Sequence, residues 1–262
     1  MNKRMYMNRY IISLIAGVLC LSSSGLYAQQ DRNQSILRLS SKGFEYEVKA
    51  GINIGGTSPL PLPEEIRSID RYRPSLALSL EGSMSKWFGS KWGAQVALRL
   101  ENKGMKTDAT VKNYSMEMVG KENGHMKGMW TGGVHTQVNN SYLTLPLSAL
   151  YRLSSRVSLK GGVYASYLLE GDFSGTAYNG YLRDETPIGT KIFVSEATYD
   201  FSDDLARFSW GVQTGVSWRA FKHLNVFGDL SWGLSDIFKK DFETITFSMY
   251  PIYLTVGFGY SF

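Results

Sequence analysis

Eight stretches of this sequence alternate apolar and polar residues with period two, and in each the run of apolar positions on one parity is unbroken by charge through its middle. They run over Phe44–Ser58, Arg73–Phe88, Trp92–Thr110, Val138–Ser154, Val157–Asp172, Ala206–Phe221, Leu224–Asp236 and Phe242–Phe262. Successive side chains of a strand point to opposite faces, so each stretch reads as a strand with one greasy face. The last is the clearest: Ile252, Leu254, Val256, Phe258, Tyr260 and Phe262 alternate with Tyr253, Thr255, Gly257, Gly259 and Ser261. The greasy parity elsewhere holds, for example, Leu76, Leu78 and Leu80, then Val96, Leu98 and Leu100, then Leu143, Leu145 and Leu147. The opposite parity holds Glu47, Lys49, Glu81, Arg99, Glu101, Arg152, Lys160, Glu170, Arg219 and Asp229, five acids and five bases.

Two folds fit such a pattern, and they place the faces oppositely. A soluble barrel puts the greasy parity inside; a transmembrane barrel puts it against lipid. Three features favour the membrane. The connections alternate in length: Gly89-Ser90-Lys91, Ser155-Arg156 and Lys222-His223 are tight. Pro59–Tyr72, Val111–Gln137 and Phe173–Leu205 are long and polar, and Ile237–Asp241 is shorter. Trp87, Phe88, Trp92, Tyr151, Trp218, Phe221, Tyr260 and Phe262 fall near the strand ends at the tight turns, as an interfacial girdle would. The terminal strand with Phe258, Tyr260 and Phe262 resembles the C-terminal insertion signal of bacterial outer-membrane barrels, which implies insertion by the barrel-assembly machinery.

The expected fold is therefore an all-β, eight-stranded antiparallel up-and-down transmembrane barrel over residues 44–262, with short periplasmic turns and long external loops. The two longest connections are expected to extend it as hairpins. Ions persist in a low-dielectric interior only when paired, so the ten inward charges predict a salt-bridge network that plugs the barrel. Eight strands leave room for side chains and no aqueous channel.

The start of the chain fits export. Lys3, Arg4 and Arg9 precede the apolar stretch Tyr10 to Leu21, and small and polar residues follow up to Ala28. That is the layout of a secretory signal peptide over residues 1–28, too short for a spanning helix of roughly 20 residues. Residues 29–43 read as a periplasmic lead-in. Cys20 is the only cysteine, and Leu19 stands before it where a lipidation motif wants a small residue. The mature chain would then have neither thiol nor disulfide. Its formal charge falls from +5 to +2, 25 basic against 23 acidic residues, which gives no warrant for nucleic-acid binding.

Several motifs are similar to those of the PorT-like outer-membrane barrel family of Bacteroidota. They are Lys49-Ala-Gly-Ile-Asn53, Glu101-Asn-Lys-Gly-Met105, Tyr142-Leu-Thr-Leu-Pro-Leu147, Gly161 to Leu169 and Trp232 to Ile237. The resemblance implies an eight-stranded outer-membrane barrel and no particular reaction; family members include a factor connected with type IX secretion. Pro146 lies within a strand, where proline predicts a bulge or kink.

Catalytic chemistry has thin support. His125 and His135 fall in one external loop and His223 in a turn. His135 with Ser141, Asp108 or an acid of the 173–205 loop would be the hydrolase candidate, but no spacing ties a nucleophile to a base. Asp200, Asp203 and Asp204 lack the calcium-loop pattern, and Gly55-Gly56 and Gly161-Gly162 precede no helix pattern. No catalytic residue, cofactor or metal site is expected. The expectation is a non-enzymatic outer-membrane barrel acting through its external loops or within an envelope or secretion assembly. Its partners would be membrane lipid and an envelope protein. The alternatives are a small barrel enzyme on lipid or peptide, and a lateral transporter of a small hydrophobic molecule, with the Pro146 kink as its only hint.

Overall fold

The computed structural model describes residues 43–120, 124–184, 188–242 and 244–262. The expected signal peptide and nearly all of the lead-in lie outside them. Eleven strands form one antiparallel sheet among the described residues. They are β1 Phe44–Pro59, β2 Ile66–Pro74, β3 Ala77–Trp87, β4 Trp92–Gly120, β5 Gly124–Arg152 and β6 Val157–Glu170. Then come β7 Phe173–Asp184, β8 Lys191–Asp200, β9 Phe208–Arg219, β10 Leu224–Gly233 and β11 Met249–Ser261, with one 3-10 turn at Ser202–Asp204. No helix among the described residues is long and apolar enough to cross a membrane.

The sheet has eleven strands where eight are expected. The 59–72 connection holds most of β2, which runs on through Arg73 and Pro74 so that the expected second strand starts only at Ala77, and the 173–205 connection folds into the hairpin β7–β8. The 111–137 connection continues β4 and β5 to a tip at Gly120↔Gly124. The three tight turns stand where alternation put them, between β3 and β4, β5 and β6, and β9 and β10. In the second, the Ser154 hydroxyl accepts from the backbone N–H groups of Arg156 and Val157. The last strand starts at Met249 rather than Phe242, because Thr244 and Ile245 are buried and Phe242 and Phe247 pack against an apolar core.

Pairing runs β4-β3-β1-β11-β10-β9-β6-β5, and β5 pairs β4 again, so this path returns to its start. The strands β2, β7 and β8 stand outside that path. β2 pairs the free edge of β4 above β3, β7 pairs β5, and β8 touches the tip of β4 at Val119↔Thr198. Pro146 produces no bulge. Its β6 partner is Tyr164, in register, and the β4–β5 ladder merely skips Ala97 and Leu98 while keeping its register on either side. Proline has no N–H for the ladder, so pairs drop out there without shifting it.

Near the tight turns the burial pattern is inside-out. Along β3, Ala77, Ser79, Glu81, Ser83 and Ser85 are buried, while Leu78 and Leu80 are 61% and 42% exposed. A soluble barrel would bury those leucines and expose the glutamate. Exposed aromatics collect at both limits of the apolar band, Phe88, Trp92, Trp218 and Phe221 near the turns, and Phe208, Trp210 and Trp232 at the other limit.

Farther along the same strands the chemistry of the faces swaps. On β4 the inward residues Arg99, Glu101 and Lys103 give way to Met105, Ala109 and Val111, while outward Leu98 and Leu100 give way to Lys106 and Thr110. Past a register shift between Val111 and Tyr114, Met116 and Met118 turn inward. These residues join Trp130, Val134, Val138, Phe173, Tyr199, Phe201 and Ile245 in one apolar core. The loop end thus obeys the rule for water, greasy inside, and the turn end obeys the opposite one.

Candidate functional site

Five strands of the closed path, β1, β3, β4, β6 and β10, carry inward charges into one network. Arg99 on β4 is its hub. Its guanidinium meets Glu81 of β3 at 2.5 and 2.7 Å, Glu101 at 3.7 Å and Asp229 of β10 at 3.9 Å, and it donates to the Gln213 amide oxygen of β9 at 3.3 Å. Lys49 of β1 reaches Glu81 at 3.2 Å and Glu47 at 3.4 Å. Lys160 of β6 meets Asp229 at 2.6 Å. Lys103 meets Glu101 at 3.1 Å and sits among the rings of Tyr142, Tyr164 and Tyr253. Hydroxyls and amides fill the gaps: Thr144 donates to Glu101 at 2.8 Å, and Asn225 to Glu47 at 2.6 Å.

Four bases, Lys49, Arg99, Lys103 and Lys160, face four acids, Glu47, Glu81, Glu101 and Asp229. All but Glu47 are nearly inaccessible, and Glu47 is only slightly exposed. Gly215 makes room for them: a Cβ there would collide with the Asp229 carboxylate and press on Lys160. Both the Nε and an Nη of Arg99 reach one oxygen of Glu81, and Lys49 takes the other, so the carboxylate is held by charge-assisted hydrogen bonds on both oxygens.

Seven of the ten sequence-chosen charges come together this way; Arg152, Arg219 and Glu170 do not. Arg152 stacks on the Trp87 ring at 4.0 Å. With the exposed Arg219 it lines a small recess at the turn end. Glu170 is exposed, because the β5–β6 register shifts between Ser141 and Tyr142, putting Ser141 opposite Glu170 and Tyr142 opposite Leu168. Lys103 was missed although it continues the inward series Arg99, Glu101; the signal lay two residues farther along. Phe258, Tyr260 and Phe262 all stand on the outward face, and Tyr260 and Phe262 touch edge to face.

A second cluster decorates the outer surface of the loop end. Asp108 of β4 lies opposite His135 of β5, and the two side chains hydrogen-bond through Nδ1 and Oδ1. Arg73 donates to the same carboxylate at 3.3 Å, and Arg71 lies 4.0 Å from it. The hydrogen bond from His135, then that from Arg73, holds the Asp108 carboxyl below its ordinary range. Ser141 is not part of the cluster: it pairs with Asn102, six residues down β5 and on the order of 20 Å from His135. His125 pairs with Val119 near the hairpin tip, and the His223 ring is bonded to the Ser261 carbonyl at the opposite end. Asp200 accepts from the Ser202 backbone and hydroxyl, closing its own turn. Among the described residues no three of His, Cys, Asp and Glu are gathered to hold a metal ion.

At its turn end the sheet is greasy outside and ionic inside, the arrangement that suits lipid, and comparison with known families agrees. The model of the family described as outer membrane protein beta-barrel domain matches residues 27–239, and the chain belongs to that family. Membership implies the bacterial outer membrane.

Among solved structures the chain is similar to Ail, the attachment invasion locus protein of Yersinia pestis, at 10% identity and TM-score 0.41, covering 84% of this chain and 99% of that one. It is also similar to the outer membrane protease OmpT of Escherichia coli, at 11% identity and TM-score 0.36, covering 85% and 98%. A third is the outer membrane protein OprG of Pseudomonas aeruginosa, at 10% and 0.32, covering 84% and 96%. No curated protein matches the chain.

Proposed function

We propose that the eight strands of the closed pairing path form a plugged, non-enzymatic transmembrane barrel of the PorT-like kind, working through the folded extension at its loop end. The observation that carries this is the burial of four bases against four acids across the path. Side chains that pair across the lumen leave no continuous aqueous route. The tight turns face the periplasm and the extension of β2, β4, β5, β7 and β8 faces outward; the swap of face chemistry near Met105 marks where the strands leave lipid. Residues 1–28 direct export and residues 29–43 lead into the barrel. Phe258, Tyr260 and Phe262 form the signal read by the assembly machinery, and the extension offers a surface to an envelope protein partner.

Planar-bilayer recording tests the plug. Purified protein should insert without stepwise conductance; large, regular steps would overturn it. The Asp108–His135 pair favours one second reading, a surface hydrolase with His135 as base. With no nucleophile assigned beside it, the expected result is no peptide or lipid hydrolysis by the purified protein. An activity that disappears in His135→Ala would establish the second reading instead.

A further inference from the structure

The apolar core of the loop end has a hole in it. A cavity of about 320 Å³ lies between the upper ends of β1 and β11, the strands β2 and β4, and the 244–248 segment. It is walled by Met105, Val111, Tyr114, Met116, Phe173 and Phe247, among others, and no Asp, Glu, Lys, Arg or His lines it. Burial pushes the Tyr114 and Tyr199 phenols up, and the Tyr199 hydroxyl is already engaged by Thr136 at 2.6 Å. The wall therefore carries no charge at physiological pH. An apolar cavity of about 150 Å³ stays dry and binds benzene, and small-molecule pockets begin at roughly 300 Å³.

The cavity also has a door. In the sheet order β2 neighbours only β4, so between β2 and the top of β1 the ladder is interrupted. A side chain spans that seam in place of backbone pairs: the Tyr72 hydroxyl donates to the Gly55 carbonyl at 2.5 Å, and beside it the Thr57 N–H of β1 donates to the Met105 thioether of β4 at 3.3 Å. Gly56 has no side chain to block the gap; a Cβ there would press on the Met105 sulfur and touch the Tyr72 ring. Leu62, Ile69 and Tyr72 line the cavity and are also exposed, so its wall reaches the surface at this seam. The surface below it is the greasy outward band, with Ile54 exposed on β1 and Leu76 just before β3.

We propose that this cavity binds an uncharged hydrocarbon group, one alkyl chain or a small aromatic, admitted sideways between β1 and β2 at the level where the strands leave lipid. The site rests on the membrane reading above, since its door opens on the outward band. Two sources share this chemistry, a free hydrophobic molecule and the acyl chain of a membrane lipid.

Photolabelling of the full chain in phospholipid vesicles tests it, using a diazirine-bearing decanol in one arm and a diazirine-bearing phosphatidylcholine in the other, with peptides mapped by mass spectrometry. Label on Met105, Tyr114 or Met116 from the decanol alone supports a free ligand, and label there from the phospholipid supports a lipid chain. Ala109→Trp, which fills the cavity, should cut that label at least tenfold and leave labelling of outward Leu78 and Leu98 unchanged. Ile69→Asp, a surface change at the door, should cut it as well and does not depend on refolding a core. Outward residues labelled and cavity residues unlabelled in both arms would overturn the site while leaving the membrane reading intact. Absence of label from the outward residues would instead overturn the membrane reading.

Discussion

Arg99→Met should destabilise the folded protein by about 3–5 kcal/mol, the cost of leaving buried ionic partners uncompensated. Arg99 is 2% exposed and contacts Glu81, Glu101 and Asp229, which are equally inaccessible, so its loss strands negative charge in the interior. The intact network is not expected to add much stability over a well-packed apolar interior; what matters is the asymmetry between a complete set and a broken one. Adding Glu81→Gln to Arg99→Met removes one of the stranded charges and should recover part of the loss. Urea unfolding in vesicles, read by the gel-mobility difference between folded and unfolded barrel, measures both. A change under 0.5 kcal/mol for Arg99→Met would mean that the charges are solvated and the barrel is not plugged.

Leu98→Arg should cost on the order of 2–4 kcal/mol in a bilayer, the penalty for a charge on the lipid face near the midplane. Leu98 is 54% exposed and lies opposite Gly82 on β3, midway along the apolar band. At an exposed site of a water-soluble protein the same change stays within about 0.5 kcal/mol. The same unfolding assay therefore separates the two environments. Lys106→Leu, on the outward parity of β4 but above the band, should change stability little.

Parity made most of the barrel legible. Glu81 beside Leu80, and Arg99 between Leu98 and Leu100, assign two faces from sequence because a strand permits only two. The tight turns were legible for the same reason: alternation stops and resumes within a few residues. The extension was harder to read. Outside lipid the rule reverses, so Met105, Ala109 and Val111 follow Arg99, Glu101 and Lys103 on one parity, and charge no longer marks the inward face. Glu170 fell on the wrong face because the shift beside Ser141 changes parity without any proline or glycine at that point. The same reversal hid the cavity, whose wall draws on residues from β1 to β11 that no local pattern connects.

At the turn end the greasy parity faces lipid and the ionic parity faces a packed interior. Spin labels placed one at a time along β3, from position 77 to 86 in a Cys20→Ser background in vesicles, test it most directly through their accessibility to oxygen. High oxygen accessibility is expected at Leu78, Leu80, Gly82 and Met84, and low accessibility at Ser79, Glu81, Ser83 and Ser85. The reverse alternation, or none, would contradict it.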